Sequence, residues 1–229
     1  MDMSMPPAGL KSALFSDLGV SDQSRIQSLM EDIFRHAEDR VNPLDDRVSC
    51  LSQALYLMYL ARARKASSIA EIGFSIGYSS IAFLESSPQA KVTSFEIHTE
   101  TSVKSAKEFI DSRYPDRHQL IYGDSTQTVP AFQIPGPMDG FDLIFIDGGH
   151  EYSCAKADIT NARRLAKPGA TLVVDSLTPW FKWGIGPTTA WEEAVRDEIV
   201  TPLEYVSDAL AVSRIQGPAE RAWAVGQYR

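Results

Sequence analysis

Ser68–Ser80 reads SIAEIGFSIGYSS, a short apolar run that stops at Glu71 and is followed by two glycines four residues apart, Gly73 and Gly77. A strand that stops at glycines opens into a turn whose backbone can approach a ligand closely. The spacing Glu-x-Gly-x-x-x-Gly departs from Gly-x-Gly-x-x-Gly, in which clustered glycines press a helix N-terminus against a pyrophosphate. Here an acid stands where a diphosphate would approach. A carboxylate repels phosphate and attracts a cation, so the expected ligand carries an ammonium or sulfonium group, and S-adenosylmethionine carries both.

Outward from this turn, strand and helix alternate: a helix from Tyr78, the strand KVTSFEI, the helix TETSVKSAKEFIDSRY, the strands QLIYGD and FDLIFID, and a helix near Ser153 to Leu165. That order demands a parallel sheet with helices on both faces. A fifth strand, TLVVDS, follows the Lys167-Pro168-Gly169 turn, and a helix near Thr188 to Val200 leads to LEYVSD and RAWAVGQY. The last two runs are expected as an antiparallel pair at one edge, the final strand lying beside the fifth, for seven strands in all. Upstream, Ser21 to Arg40 shows a capping serine and apolar residues at Ile26, Leu29, Ile33 and Phe34, which predict an amphipathic helix stopped by Asn42-Pro43. A second helix is expected at about 45 to 65, with Leu51, Ala54, Leu55 and Met58 on one face and Arg62, Arg64 and Lys65 at its C-terminal end. Residues 1–20 therefore read as an arm and 21–229 as one domain, divided into a helical cap (21–65) and an α/β core (66–229).

A chain of 229 residues, 44% hydrophobic and 23% charged, buries a core without staples. Its net charge of −8 argues against a footprint on nucleic acid, which needs clustered Lys and Arg to neutralise phosphates. Cys50 and Cys154 have no metal-ligand spacing and suit a reduced, cytoplasmic setting. The N-terminus has no apolar h-region and no run approaches the length of a membrane span, so a soluble, unprocessed protein acting on a small molecule is expected.

In an open α/β sheet, ligands collect beyond the carboxyl ends of the strands. Every one of the five strands ends in an acid: Glu71, Glu96, Asp124, Asp147 and Asp175. Turn and capping preferences explain one such residue but not five in succession. Glu96 stands where a carboxylate can accept both hydroxyls of a ribose. Asp124 and Ser125 suit an adenine edge, although Asp124 equally suits a cap. Ser79 is a candidate donor to a methionine carboxylate. His150, three residues after Asp147, has the imidazole of a general base or is a solvated loop histidine. Trp180, Phe181 and Trp183, in LTPWFKWGIGPTTAW, suit an apolar wall for a planar acceptor or ordinary packing.

The motifs EIGFSIGYSS, SFEIHTE, YGDST, FDLIFIDGGHEY and KPGATLVVDS, in that order, resemble the class I S-adenosylmethionine-dependent methyltransferases with their Rossmann-like sheet. Within that superfamily it is similar to the small-molecule O-methyltransferases of the catechol and caffeoyl-CoA type, and to a bacterial and fungal group bearing Asp-Gly-Gly-His-x-Tyr. The resemblance implies cofactor contacts from the first turn (Glu71, Gly73, Ser75, Gly77, Tyr78, Ser79), the second strand end (Glu96, Ile97), the third (Asp124, Ser125) and the fourth (Asp147, Gly148). It implies catalysis by Asp147 and by His150, which stands where the catechol-type family has a lysine base. It also implies a divalent cation such as magnesium at Asp147, Asp175 and Ser176, with Ser176 replacing the family's amide and leaving that site open. Homodimers are common among such enzymes, and the arm with the 21–65 helices is the surface to suspect. The expected activity is O-methylation of a small aromatic or hydroxylated metabolite. The alternatives are metal-independent N- or sugar O-methylation and a non-catalytic protein that binds S-adenosylmethionine. The glycine spacing counts against a nicotinamide dehydrogenase.

Overall fold

The computed structural model describes residues 18–37, 51–136 and 138–229. Most of the expected arm, the end of the first helix with Asn42-Pro43, the first residues of the second helix and Cys50 lie outside the described residues.

Among the described residues the first two helices are α1 (Val20–Ala37), which buries Ile26, Leu29, Met30 and Ile33, and α2 (Leu51–Ala63), whose buried residues include Ala54, Leu55 and Met58. Arg62 of α2 grips Asp22 of α1 through both terminal nitrogens, at 2.8 and 3.0 Å. The parallel strands are β1 (Ser68–Ile72), β2 (Lys91–Glu96), β3 (His118–Tyr122), β4 (Phe141–Ile146) and β5 (Ala166–Val174). Antiparallel β6 (Val200–Ser207), β7 (Leu210–Val212) and β8 (Ala222–Tyr228) complete a sheet of order β3-β2-β1-β4-β5-β8-β6-β7. The final strand is inserted beside the fifth, as its sequence position suggested. Among the described residues eight strands are present rather than the expected seven, because β6 folds back into β7. The two residues between them, Asp208 (φ +47°) and Ala209 (φ +61°), both take the left-handed conformation of a tight hairpin.

Between the strands lie α3 (Tyr78–Ser86), α4 (Thr101–Arg113), α5 (Ser125–Ala131), α6 (Tyr152–Ala162) and α7 (Ile185–Arg196). The last begins three residues before the expected Thr188 and ends four before Val200, where β6 starts. Strand alternation sorts the core into two layers. Ile69, Val92, Leu143, Phe145 and Val173 face α1–α4 on one side, together with Ile33, Met58, Phe83 and Ile110. Ala70, Ile72, Ile144, Ile146, Leu172 and Val174 face α5–α7 on the other, with Val129, Ile159 and Trp191. The large fully buried side chains, Trp191, Trp223, Phe83 and Phe145 among them, each contribute about 1.5–3 kcal/mol of apolar burial. Among the described residues no helix is long and apolar enough to cross a membrane.

In this strand order β1 and β4 are neighbours whose connections leave in opposite directions along the sheet, so a crevice opens beyond their carboxyl ends.

Candidate active site

A cavity of about 550 Å³ fills that crevice. Its floor is the first turn. Gly73 has φ +95°, and a Cβ there would fall 2.0 Å from the carbonyl oxygen of Asp147, so only glycine lets β1 and β4 close together at this point. The Gly73 N–H donates to Phe95 and the Asp147 N–H to Ile72, at 2.9 and 2.8 Å, which ties β2, β1 and β4 into one rim. At Gly77 (φ +78°) a Cβ would meet Ile110 at 2.7 Å, so α4 also packs onto the turn. Gly73, Ser75, Gly77, Tyr78 and Ser79 all line the cavity.

Glu71 does not line it. The side chain is wholly buried, and one carboxyl oxygen accepts hydrogen bonds from Ser80 and Ser94, both at 2.5 Å, while the other has no partner. Burial pushes its pKa up to about 7, against the opposing pull of the serine hydroxyls around it. Ser94 continues the chain to His118, 3.0 Å away, whose ring stacks on Phe74. His118 is buried, and burial drives its imidazole down to about 3.

Glu96 lines the cavity with its carboxylate cradled by backbone. Oε2 accepts from the N–H groups of Phe74 (2.9 Å) and Ser75 (2.7 Å), and Oε1 from His98 (2.7 Å). Asp124 caps α5 through the Thr126 N–H at 2.8 Å and still lines the cavity, so the cap and the strand-end position coexist. Ile97, Ser125 and Gly148 complete this end.

At the other end stand Asp147, His150, Asp175, Ser176 and Trp183. His150 Nε2 lies 3.2 Å from the Ser176 hydroxyl and 3.8 Å from an Asp147 carboxylate oxygen. The imidazole is tilted over Trp183, with ring centres 5.6 Å apart, and Trp183 stacks on Phe181 at 5.3 Å. The backbone is held as well, because a Cβ at Gly186, in the first turn of α7, would fall 2.2 Å from the His150 carbonyl oxygen. Asp175 is 5% exposed with one oxygen sealed and partnerless, and burial, then the charge of Asp147, push it up to about 7. Of the three loop aromatics only Trp183 lines the cavity. The Trp180 indole N–H donates to Ala219 at 2.8 Å and its ring packs against Gly217.

The donors at Asp147, Asp175 and Ser176 fit a hard cation poorly. The Ser176 hydroxyl is turned to His150 at 3.2 Å, which leaves two carboxylates, Asp147 and Asp175, as the uncommitted donors of that set.

Sequence reasoning missed Gly149, Cys154, His98, Glu220, Arg221 and Ala222, all on the cavity lining. The last three come from β8 and its approach. An antiparallel strand beside β5 brings its first residues to the carboxyl edge, a placement that follows once β8 is set next to β5.

Residues 70–177 match the family model described as "Methyltransferase domain". This stretch is a methyltransferase domain. Solved structures with the same architecture extend the likeness beyond that stretch. The cofactor-bound Rv0187 from MTB superposes with a TM-score of 0.73 at 20% identity, covering 97% of this chain and 98% of that one. The O-methyltransferase TomG from Streptomyces achromogenes, in complex with SAM and involved in tomaymycin synthesis, gives 0.68 at 22% identity over 88% and 89%. An O-methyltransferase from Bacillus cereus in complex with SAH gives 0.69 at 20% identity over 88% and 91%. At these identities the likeness establishes the fold, and the methyltransferase domain occupies its centre.

Proposed function

We propose that this chain transfers the methyl group of S-adenosylmethionine to a hydroxyl oxygen of a small aromatic acceptor, without nucleic acid or membrane as partner. The observation that carries the reading is one cavity with two chemically distinct ends. The glycine turn with Glu96, Asp124 and Ser125 offers hydrogen-bonding groups that suit a nucleoside, and Asp147, His150, Ser176 and Trp183 offer a base and an aromatic wall that suit the acceptor. Tyr78 and Ser79, which follow the glycine turn and also line the cavity, are assigned to the methionine portion. The similar folds include a cofactor-bound protein and two O-methyltransferases holding SAM or SAH, which supports the choice of cofactor.

In the reaction the acceptor oxygen attacks the methyl carbon in line with the carbon–sulfur bond. The new carbon–oxygen bond forms as that bond breaks, and its electron pair returns to sulfur, leaving a neutral thioether. The hydroxyl proton passes to His150, whose ring is aimed by Ser176 and flanked by the Asp147 carboxylate that stabilises the imidazolium. Holding both reactants in line accounts for most of the acceleration. No step is assigned to a metal, since the donor set does not suit one.

The test is calorimetric titration of S-adenosylmethionine into chelator-treated protein, followed by product mass analysis with a panel of phenols. His150→Ala is expected to lower kcat by about 100-fold or more, within the range of general-base contributions, while cofactor affinity stays within twofold. Turnover unchanged in His150→Ala across pH removes the base assignment, and absence of cofactor binding removes the whole reading.

A further inference from the structure

Glu71, Ser80, Ser94 and His118 are buried, and none of them lines the cavity. They are joined to it all the same. Ser94 has one hydroxyl proton and gives it to Glu71 at 2.5 Å, so its 3.0 Å contact with His118 is donated by the imidazole Nε2–H. That bond ties the edge of the ring to β2. The ring face is then presented to Phe74, with ring centres 5.1 Å apart and planes inclined by 27°. Lys107 of α4 holds the backbone of the same residue, its ammonium donating to the His118 carbonyl at 3.3 Å.

Phe74 is where this buried chain enters the cofactor turn. Its side chain is 1% exposed, and a Cβ at Gly77 would fall 2.9 Å from its ring, so the turn closes tightly round it. Backbone preference does not hold the turn in shape. Gly73, Ser75 and Gly77 all take left-handed angles, at φ +95°, +50° and +78°, and for the serine that conformation is unfavourable. The shape therefore depends on what packs against the Phe74 ring. The Phe74 and Ser75 N–H groups are the pair that Glu96 Oε2 accepts, at 2.9 and 2.7 Å, so a shift of the ring moves the donors that aim the carboxylate. An imidazole suits this place because it satisfies Ser94 at its edge and Phe74 with its face.

Building on the cofactor reading, in which Glu96 takes the ribose hydroxyls, we propose that His118 is a positioning residue of the cofactor site: stacked on Phe74, it fixes the N–H pair that aims the Glu96 carboxylate and so sets cofactor affinity without touching the cofactor.

The test is calorimetric titration of S-adenosylhomocysteine into wild type, His118→Ala, His118→Phe, Glu96→Gln and the double variant His118→Ala/Glu96→Gln, at a temperature where each is folded. His118→Ala is expected to weaken binding about 3- to 10-fold, the range spanned by loss of one aromatic contact. His118→Phe, which restores a ring, is expected to bind within twofold of wild type. In the Glu96→Gln background the further loss from His118→Ala is expected to fall below twofold, because the group it acts through is already impaired. A histidine that only stabilises the fold would lower the urea midpoint and leave affinity unchanged, and that result overturns the proposal. So does a loss that phenylalanine does not restore, or one of equal size in both backgrounds. Where His118→Ala fails to fold, Phe74→Leu removes the same stack from the other side, and the same 3- to 10-fold loss, shrinking below twofold beside Glu96→Gln, is expected of it. If wild type binds no S-adenosylhomocysteine, the cofactor reading fails and takes this one with it; if wild type binds and the two losses simply add, only the role of His118 falls.

Discussion

Glu96→Gln separates the two duties that the Glu96 carboxylate performs. In the wild type one oxygen accepts the N–H groups of Phe74 and Ser75 and the other that of His98, at 2.7–2.9 Å. A glutamine has one accepting oxygen. Its better placement keeps Phe74 and Ser75 bonded and turns the NH₂ toward the His98 N–H, so one charge-assisted bond is lost and two donors face each other. Hydrogen bonds to charged groups are worth about 1.5–3 kcal/mol, so unfolding in urea should become easier by about that amount. If the same carboxylate also takes the ribose hydroxyls, one of its two acceptors is missing there as well. The Kd for S-adenosylhomocysteine, measured by calorimetry at a temperature where the variant is fully folded, should then rise about 10- to 100-fold, equivalent to about 1.4–2.7 kcal/mol. A purely structural acid would show the stability loss without the affinity loss. A folded variant that binds S-adenosylhomocysteine within twofold of wild type refutes the ribose assignment, and an unchanged urea midpoint refutes the cradle argument.

Gly73→Ala places a methyl group 2.0 Å from the Asp147 carbonyl oxygen at φ +95°, so a loss of about 3 kcal/mol or more is expected in thermal unfolding, and a loss below 1 kcal/mol would contradict the close packing of β1 on β4. Glu71 titrates near 7 when folded because it is buried; an acid with a raised folded pKa binds more protons folded than unfolded, so wild-type stability should fall as pH rises from about 4.5 to 7. Glu71→Gln, which cannot ionise, should gain on wild type across that window, and parallel stability curves from pH 5 to 8 would exclude the effect. Asp142 is the opposite case. Burial alone would raise its pKa, but the Lys167 ammonium and the Ser67 and Ser68 N–H groups hold it at about 2, below its usual 3.8. Asp142→Asn should therefore be less stable than wild type above pH 4, with the gap closing as pH falls through about 2, and a gap that persists at pH 2 would rule out ionic stabilisation.

The parallel half of the fold was legible because its signals are local. The runs SIAEI and FDLIFI are short and mostly apolar, KVTSFE carries the β-branched and aromatic residues that strands favour, and α4 keeps an apolar face through Val103, Ala106, Phe109 and Ile110. The shortest elements were not legible. Strand β7 has three residues, and its hairpin turn uses Asp208-Ala209 where the recognisable pairs carry Asn or Asp before Gly. Helix α5 is seven residues long, contains Pro130 and buries only Val129, so no periodicity announces it. The register of β5 was also hidden: the strand begins at Ala166, and Lys167-Pro168-Gly169, read as a turn before it, is taken up where its pairing with β4 slips between Phe141 and Leu143.

The five strand-end acids look alike in sequence and meet five different environments. Each follows an apolar run and precedes a turn, which is all that local chemistry records. What separates them is how many N–H and O–H donors the neighbouring strands bring. Glu71, between β2 and β4, is enclosed by Ser80 and Ser94 and shut off from the cavity. Glu96 receives the backbone of the very turn that Glu71 begins, so the carboxylate closest to the glycines in space is the one from the next strand. Asp124 meets the start of a helix, Asp147 meets His150, and Asp175 meets Asp147 with no donor on its inner oxygen. The satisfied acids can shape a ligand site without being altered by it. Asp175, on the cavity wall with one oxygen sealed and partnerless and the charge of Asp147 beside it, is the lining acid that its neighbours satisfy least.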